Sequence, residues 1–301
     1  NLNINMKIFD CFMYFDEEVV LDLRLNTLSE YIDYFVIVES KFTHKGDRRE
    51  LKFNLKKFEK FKDRIIYLVH DQQPDNIEVV NADDSEGEKS RKYILNAAYR
   101  ENNQRNYIEK GLINANKDDI ILISDVDEIP NLSKINFNEI NEKIIFFKQD
   151  MFFYKFNLRV PNLIWIGTKA CTKKNLITPQ WLRSIKNHKY SKFRIDTFFS
   201  KKKYNSVKFI NNGGWHFSNI KTAKEIEHKL RSFLHHREFD INPLSIKQID
   251  ELISNKQAIH DLTVDKTVNQ TGNGSKLEKF KLIKLPTYIQ KNIINYKEWI
   301  D

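Results

Sequence analysis

The 301-residue chain carries 50 Lys and Arg against 41 Asp and Glu, a formal charge of +9, with 41% hydrophobic and 30% charged residues. Such a composition describes a folded globular protein with a substantial core and excludes a disordered or collagen-like chain. No stretch reaches about 18 uninterrupted apolar residues, so no membrane span is expected, and Cys11 and Cys171 supply no disulfide framework. Asn1 to Asn5, ahead of Met6, lack the basic and apolar blocks of a secretion signal. The expected setting is reducing and cytoplasmic, at most peripheral to a membrane. The positive charge invites an anionic partner, but runs such as Lys201-Lys202-Lys203 read as solvated faces, and no nucleic-acid partner is expected.

Taken in chain order, Lys7 to Phe12 predicts a short strand. Asp16 then caps a helix to about Ser29, with Leu21, Leu25 and Leu28 spaced to pack on a sheet. Tyr34 to Val38 predicts a second buried strand ending at Glu39-Ser40, and Arg64 to Val69 a third. Glu88 to Lys110 predicts a long helix closed by Gly111. Lys143 to Lys148 and Met151 to Phe156 predict two further strands. Thr222 with Glu225 forms a capping box that opens a helix through about Arg237. Asn255 to Ser275 reads as a polar loop. Strand–helix alternation through the first half predicts an α/β fold with a mostly parallel sheet flanked by helices.

One segment stands out. Ile120 to Ile123 is wholly apolar and stops in Ser124-Asp125-Val126-Asp127-Glu128-Ile129-Pro130. Side chains alternate along a strand, so Asp125 and Asp127 are expected to point the same way at its exit. Ligands of open α/β sheets bind outside the carboxyl ends of the strands. Two carboxylates there, with no adjacent lysine or arginine, suit Mg²⁺ or Mn²⁺, whose usual companion is a phosphate or diphosphate. The bland alternative is a solvated acidic turn that caps the strand.

Several segments in order carry a resemblance: Phe35 to Thr43, Leu51-Lys52-Phe53, Glu101 to Asn106, Asp118 through Pro130, and Gly214-Trp215-His216-Phe217-Ser218. Together they resemble glycosyltransferase family 17, which includes the β-1,4-mannosyl-glycoprotein N-acetylglucosaminyltransferases, over about Lys7 to Asp240. The resemblance implies a GT-A-like (Rossmann-like) fold, a UDP-sugar donor with N-acetylglucosamine first, a divalent metal, and single displacement with inversion. Animal members carry a membrane anchor and lumenal cysteines, neither expected here, so the acceptor stays open as a glycan or glycolipid. One domain over 1–301 is expected: about 6–130 as nucleotide-binding half, 131–240 as acceptor and metal half, and 241–301 as a helical C-terminal extension.

On this reading Asp127 is the main metal ligand, and Asp125 acts through water or the donor ribose. His216 completes the metal shell or meets the diphosphate; the alternative is a packed core histidine. Trp215 stacks on a sugar or fills the core. Glu39 accepts from the ribose or base, or else pairs with Arg48 or Arg105. Gln104 and Arg105 reach the uracil or diphosphate, and Lys229, His236 and Glu238 hold the diphosphate or acceptor. The general base is one of Glu128, Asp150 and Asp196, with Glu128 preferred for its place beside the metal. Competing readings are a sugar nucleotidyltransferase, against which Cys11 to Phe15 lacks a phosphate-cradling glycine, and a non-catalytic nucleic-acid- or carbohydrate-binding protein.

Overall fold

The computed structural model describes residues 6–191, 199–260 and 274–301. Four strands form a parallel half-sheet: β1 (Ile8–Tyr14), β2 (Tyr34–Ser40), β3 (Ile65–His70) and β4 (Ile120–Asp125). β1, β2 and β4 are buried at nearly every position, because apolar side chains on both faces are covered. On one face Phe12 and Phe35 pack with Leu21 and Leu25 of helix α1 (Glu18–Leu28). On the other, Cys11, Val36 and Ile121 pack with Ile108 and Leu112, just beyond helix α2 (Glu86–Asn106). Both cysteines are free and buried.

The sheet continues past β4 through β7 (Leu158–Thr172), β6 (Ile144–Phe153), β9 (Gly214–Ser218) and β5 (Glu128–Pro130); β8 (Val207–Ile210) pairs with β6 and β10 (Glu278–Lys279) with β7. β7 runs antiparallel to both β4 and β6, and β5 antiparallel to β9, while β6 pairs parallel with β8 and β9, so the sheet is mixed. The two strands expected on either side of Gln149-Asp150 are one strand, β6, whose irregular pairing with β7 absorbs the polar pair.

Three helix boundaries also differ from expectation. The helix α2 ends at Asn106 and tightens into a 3₁₀ segment, Tyr107–Leu112, instead of stopping at Gly111. Gly111 serves close packing there, since a Cβ would lie 2.5 Å from Val36 Cγ1. Asp16 does not cap α1; its carboxylate accepts from Lys221 Nζ at 2.6 Å. The capping box of Thr222 and Glu225 is present, but its helix, α4 (Ala223–Ser232), stops well before Arg237, and a separate helix runs from His236 to Ile241. Helix α3 (Pro179–Ser184) had no counterpart in the sequence reading.

The C-terminal part folds back on the parallel half, where Tyr296 Oη donates to Asp22 Oδ2 at 2.5 Å. No helix among the described residues is long and apolar enough to cross a membrane.

Burial also sets an acid sensitivity. Desolvation pushes His260 down from 6.5 to about 4 and lowers His44, His70 and His236 in the same direction. The unfolded chain therefore takes up these protons first. The stability these four histidines contribute is full above pH 6.5 and is lost as the pH falls toward about 4. Thermal unfolding across that window is expected to show Tm falling with pH; a flat Tm would contradict it.

Candidate active site

A cavity of about 430 Å³ opens at the carboxyl ends of β1, β2 and β4, the edge at which open α/β sheets bind ligands. The register sets Met13 beside Asp125 and Tyr14 beside Glu39, so three strand exits converge. The wall is completed by Trp165 from β7, His216 from β9 and Lys229 from α4.

The acidic turn after β4 is held from beneath by an ion pair that is fully buried on both sides. Arg24 Nε and Nη2 donate to Asp10 at 2.8 and 2.6 Å. Its Nη1 donates to the carbonyls of Asp125, Val126 and Glu128 at 3.1, 3.1 and 2.7 Å. One guanidinium thus fixes three peptide planes of the turn. Arg24 shares the face of α1 with Leu21, Leu25 and Leu28, and Asp10 interrupts an apolar strand. Those two breaks in pattern were the available signal, because a buried charge needs a partner.

Glu128 is fully buried and its carboxylate is committed. It accepts from the Asp125 backbone N–H at 2.9 Å, from Trp165 Nε1 at 2.8 Å and from Arg183 Nη1 at 2.8 Å. That corrects the preference for Glu128 as general base: both oxygens position neighbours. Gly167 is required beside it, since a Cβ would come 2.9 Å from Glu128 Cδ and overlap Gln149 Oε1.

The two aspartates do not share an environment. Asp125 is paired on both oxygens, with Arg105 and Arg183 at 3.0 Å each. Burial opposes its charge, but the Arg183 and Arg105 guanidiniums outweigh that and hold the carboxyl well below the usual range. The expectation of two carboxylates without basic partners is corrected: the arginines come from α2 and α3, 20 and 58 residues away in sequence. No local spacing could have shown them.

Asp127 lies in the turn, with Oδ1 3.3 Å from His216 Nε2 and Oδ2 3.9 Å from Lys229 Nζ. Burial works against all three charges. The attraction among them prevails, lowering Asp127 and raising His216 and Lys229. Nδ1 of His216 is buried without a partner.

Among the described residues no three His, Cys, Asp or Glu side chains converge as a metal cluster. Yet the 3.3 Å between Asp127 Oδ1 and His216 Nε2 is close to the roughly 3 Å that separates adjacent donors on an octahedral ion with 2.0–2.1 Å bonds. The pair fits an ion that takes two protein donors and completes its shell with substrate oxygens and water. Asp125 does not fit, because its oxygens face guanidiniums.

The other predicted residues divide. Gln104 lines the cavity, bonded to His44 Nε2 at 3.1 Å and to the Val38 carbonyl at 3.2 Å. Arg105 is buried behind the wall, bridging Glu101, Asp125 and Gln180. Glu39 is fully buried and accepts from Arg49, Tyr67 Oη and the N–H groups of Lys52 and Phe53. Its partner is Arg49 rather than Arg48 or Arg105, and its role is to hold Arg49 in the cavity wall, over the Phe15 ring. His236 is buried against the Phe233 carbonyl, and Glu238 is exposed beside His235. Asp150 and Trp215 lie in a different cavity, Asp150 paired with Arg159 and the Trp215 indole donating to the Lys284 carbonyl. Asp196 lies outside the described residues.

Fold and site together define an α/β protein with a charged ligand cavity at its strand exits. The family model for glycosyltransferase family 17 matches residues 2–300, and the chain belongs to that family. A search of curated proteins returned no match.

Proposed function

We propose that this glycosyltransferase moves a sugar, N-acetylglucosamine first, from a UDP-sugar to a glycan or glycolipid acceptor by a single inverting displacement. The observation that carries this reading is Asp127, set between His216 and Lys229 in a cavity at the ends of β1, β2 and β4. The same sheet and cavity position support a GT-A-type fold.

Departure of a nucleoside diphosphate leaves negative charge that fixed cations stabilise without reorganising. Lys229 is the candidate for that role, since it lines the cavity and is held by Asp127 and Glu17, each 3.9 Å from Nζ. Asp127 and His216 would hold Mn²⁺ or Mg²⁺, which when bound supplies Lewis-acid neutralisation of the diphosphate. Arg49 and Ser40 line the cavity at the β2 exit and would meet the nucleoside, and Trp165 would offer an apolar wall to the sugar. Inversion requires a carboxylate to accept the acceptor hydroxyl's proton. The acids that line the cavity are Glu17, Glu101, Asp125 and Asp127.

The test is release of free UDP from UDP-N-acetylglucosamine and other UDP-hexoses, with Mn²⁺ and with EDTA. Turnover with one donor, reduced about a hundredfold by EDTA, is expected. Release indifferent to chelation would reject the metal, and no release from any UDP-sugar would reject the donor class.

A further inference from the structure

A second cavity, of about 900 Å³, opens on the other face of the β6–β9–β5 edge. Consecutive strand residues point to opposite faces. Accordingly Trp165 and His216 line the first cavity, while their chain neighbours Ile164 and Trp215 line the second. Asp150 and Trp215 are register partners there, so neither can touch a donor held at Asp127.

Three features of this cavity converge on one ligand chemistry. Lys148, Lys284 and Lys291 line it and make no ion pair among the described residues, with Lys148 over the Phe209 ring and Lys284 over that of Phe280. They face one acid in the lining without an ion pair, Glu30, since Asp150 is already neutralised by Arg159 at 3.1 Å. Asn211 and Asn212 sit at its rim on a tight turn packed against β6. Asn212 is left-handed at φ 51°, Gly214 has φ 130°, and a Cβ at Gly213 would lie 2.9 Å from the Lys148 backbone N. Rings of Tyr31, Trp215 and Tyr288 supply apolar surface, with the Trp215 indole pinned by the Lys284 carbonyl at 3.0 Å. Side-chain amides offer the paired donor and acceptor that sugar hydroxyls need, and rings take up C–H faces. Unpaired ammonium groups attract carboxylate or phosphate.

We propose that this cavity is a second binding site, for a saccharide segment that carries negative charge. Its saccharide character rests on the glycosyl-transfer reading; its charge preference rests on the lysines alone.

The probes are a hyaluronan hexasaccharide, which alternates neutral and acidic sugars, and neutral N-acetylchitohexaose, titrated calorimetrically into the full chain at low salt. The acidic probe is expected to bind saturably and about tenfold more tightly than the neutral one. The Lys284→Glu/Lys291→Glu variant, altered at two exposed side chains, is expected to lose about tenfold or more of that affinity. Asn212→Ala, which leaves the charges in place, weakens both probes. Asp127→Asn and saturating UDP leave the acidic probe's affinity unchanged. Absence of saturable binding, equal affinity for the two probes, or displacement by UDP would each overturn the proposal. Binding of the acidic probe by a chain that releases no UDP from any donor would retain the second site and reject the transfer reading.

Discussion

Asp127→Asn is expected to lower sugar transfer by about 10²–10³-fold, the range seen when one preorganised electrostatic group is removed from a reacting centre. The fold should survive, because Lys229 keeps Glu17 as a partner at 3.9 Å and the turn is held by Arg24 rather than by the Asp127 side chain. The neighbouring change is expected to behave oppositely. Asp125→Ala removes the carboxylate shared by two buried guanidiniums, Arg105 and Arg183. Each keeps a second carboxylate, Glu101 for Arg105 and Glu128 for Arg183, so the cost is that of the lost charge-assisted hydrogen bonds, about 1.5–3 kcal/mol each. Activity loss at unchanged Tm for Asp127→Asn, and a large fall in Tm for Asp125→Ala, separate the two roles. Asp127→Asn turnover within a few-fold of the unmodified chain would remove Asp127 from the chemistry.

Arg24→Met is expected to be the most damaging substitution distant from the cavity. It strands Asp10 in a fully buried strand position, at a cost of about 3–5 kcal/mol against a typical total stability of about 5–15 kcal/mol. It also leaves the Asp125 and Val126 carbonyls without their side-chain donor, while that of Glu128 keeps Thr168 Oγ1 at 3.1 Å. Arg24→Met combined with Asp10→Leu separates these effects, because an apolar replacement of a buried pair often restores stability or exceeds it. The double variant is expected to regain Tm and to remain poorly active, since the Asp125 and Val126 carbonyls then lose the guanidinium that orients them. Recovery of both stability and turnover would show that Arg24 serves the core alone.

What the sequence disclosed follows from the range of each signal. Apolar runs that end in polar residues mark β1, β2 and β4, because both faces are buried and the pattern is local, and the half-buried β3 is marked by its apolar run alone. The box of Thr222 and Glu225 was readable for the same reason. β7 was not, because Pro161 and Gly167 break its pattern while its partners β4 and β6 are distant in the chain. Gln149-Asp150 falls between the two expected strands, yet the sheet carries both, Gln149 facing Thr168 and Asp150 facing Arg159.

The acidic motif lies at the strand exits that open into the cavity, but its spacing does not show how the surroundings of Asp125 and Asp127 differ. The contrast between Asp125 and Asp127 is set by Arg105, Arg183, His216 and Lys229, residues contributed by four separate elements. Glu128 and Glu39 resembled catalytic or binding acids because sequence shows a carboxylate and not its partners. Their oxygens prove to be occupied by N–H and guanidinium donors. Arg24 was legible in principle, as a charge on the apolar stripe of α1 opposite an aspartate in β1, and is the residue most worth seeking in similar sequences.

The most direct measurement is a crystal structure of the chain with UDP and Mn²⁺, read by the anomalous signal of the metal. The diphosphate is expected in the cavity at the ends of β1, β2 and β4, within reach of Lys229, with manganese contacting Asp127 and His216. Nucleotide bound elsewhere, with Asp127 and His216 still facing only each other, would contradict it.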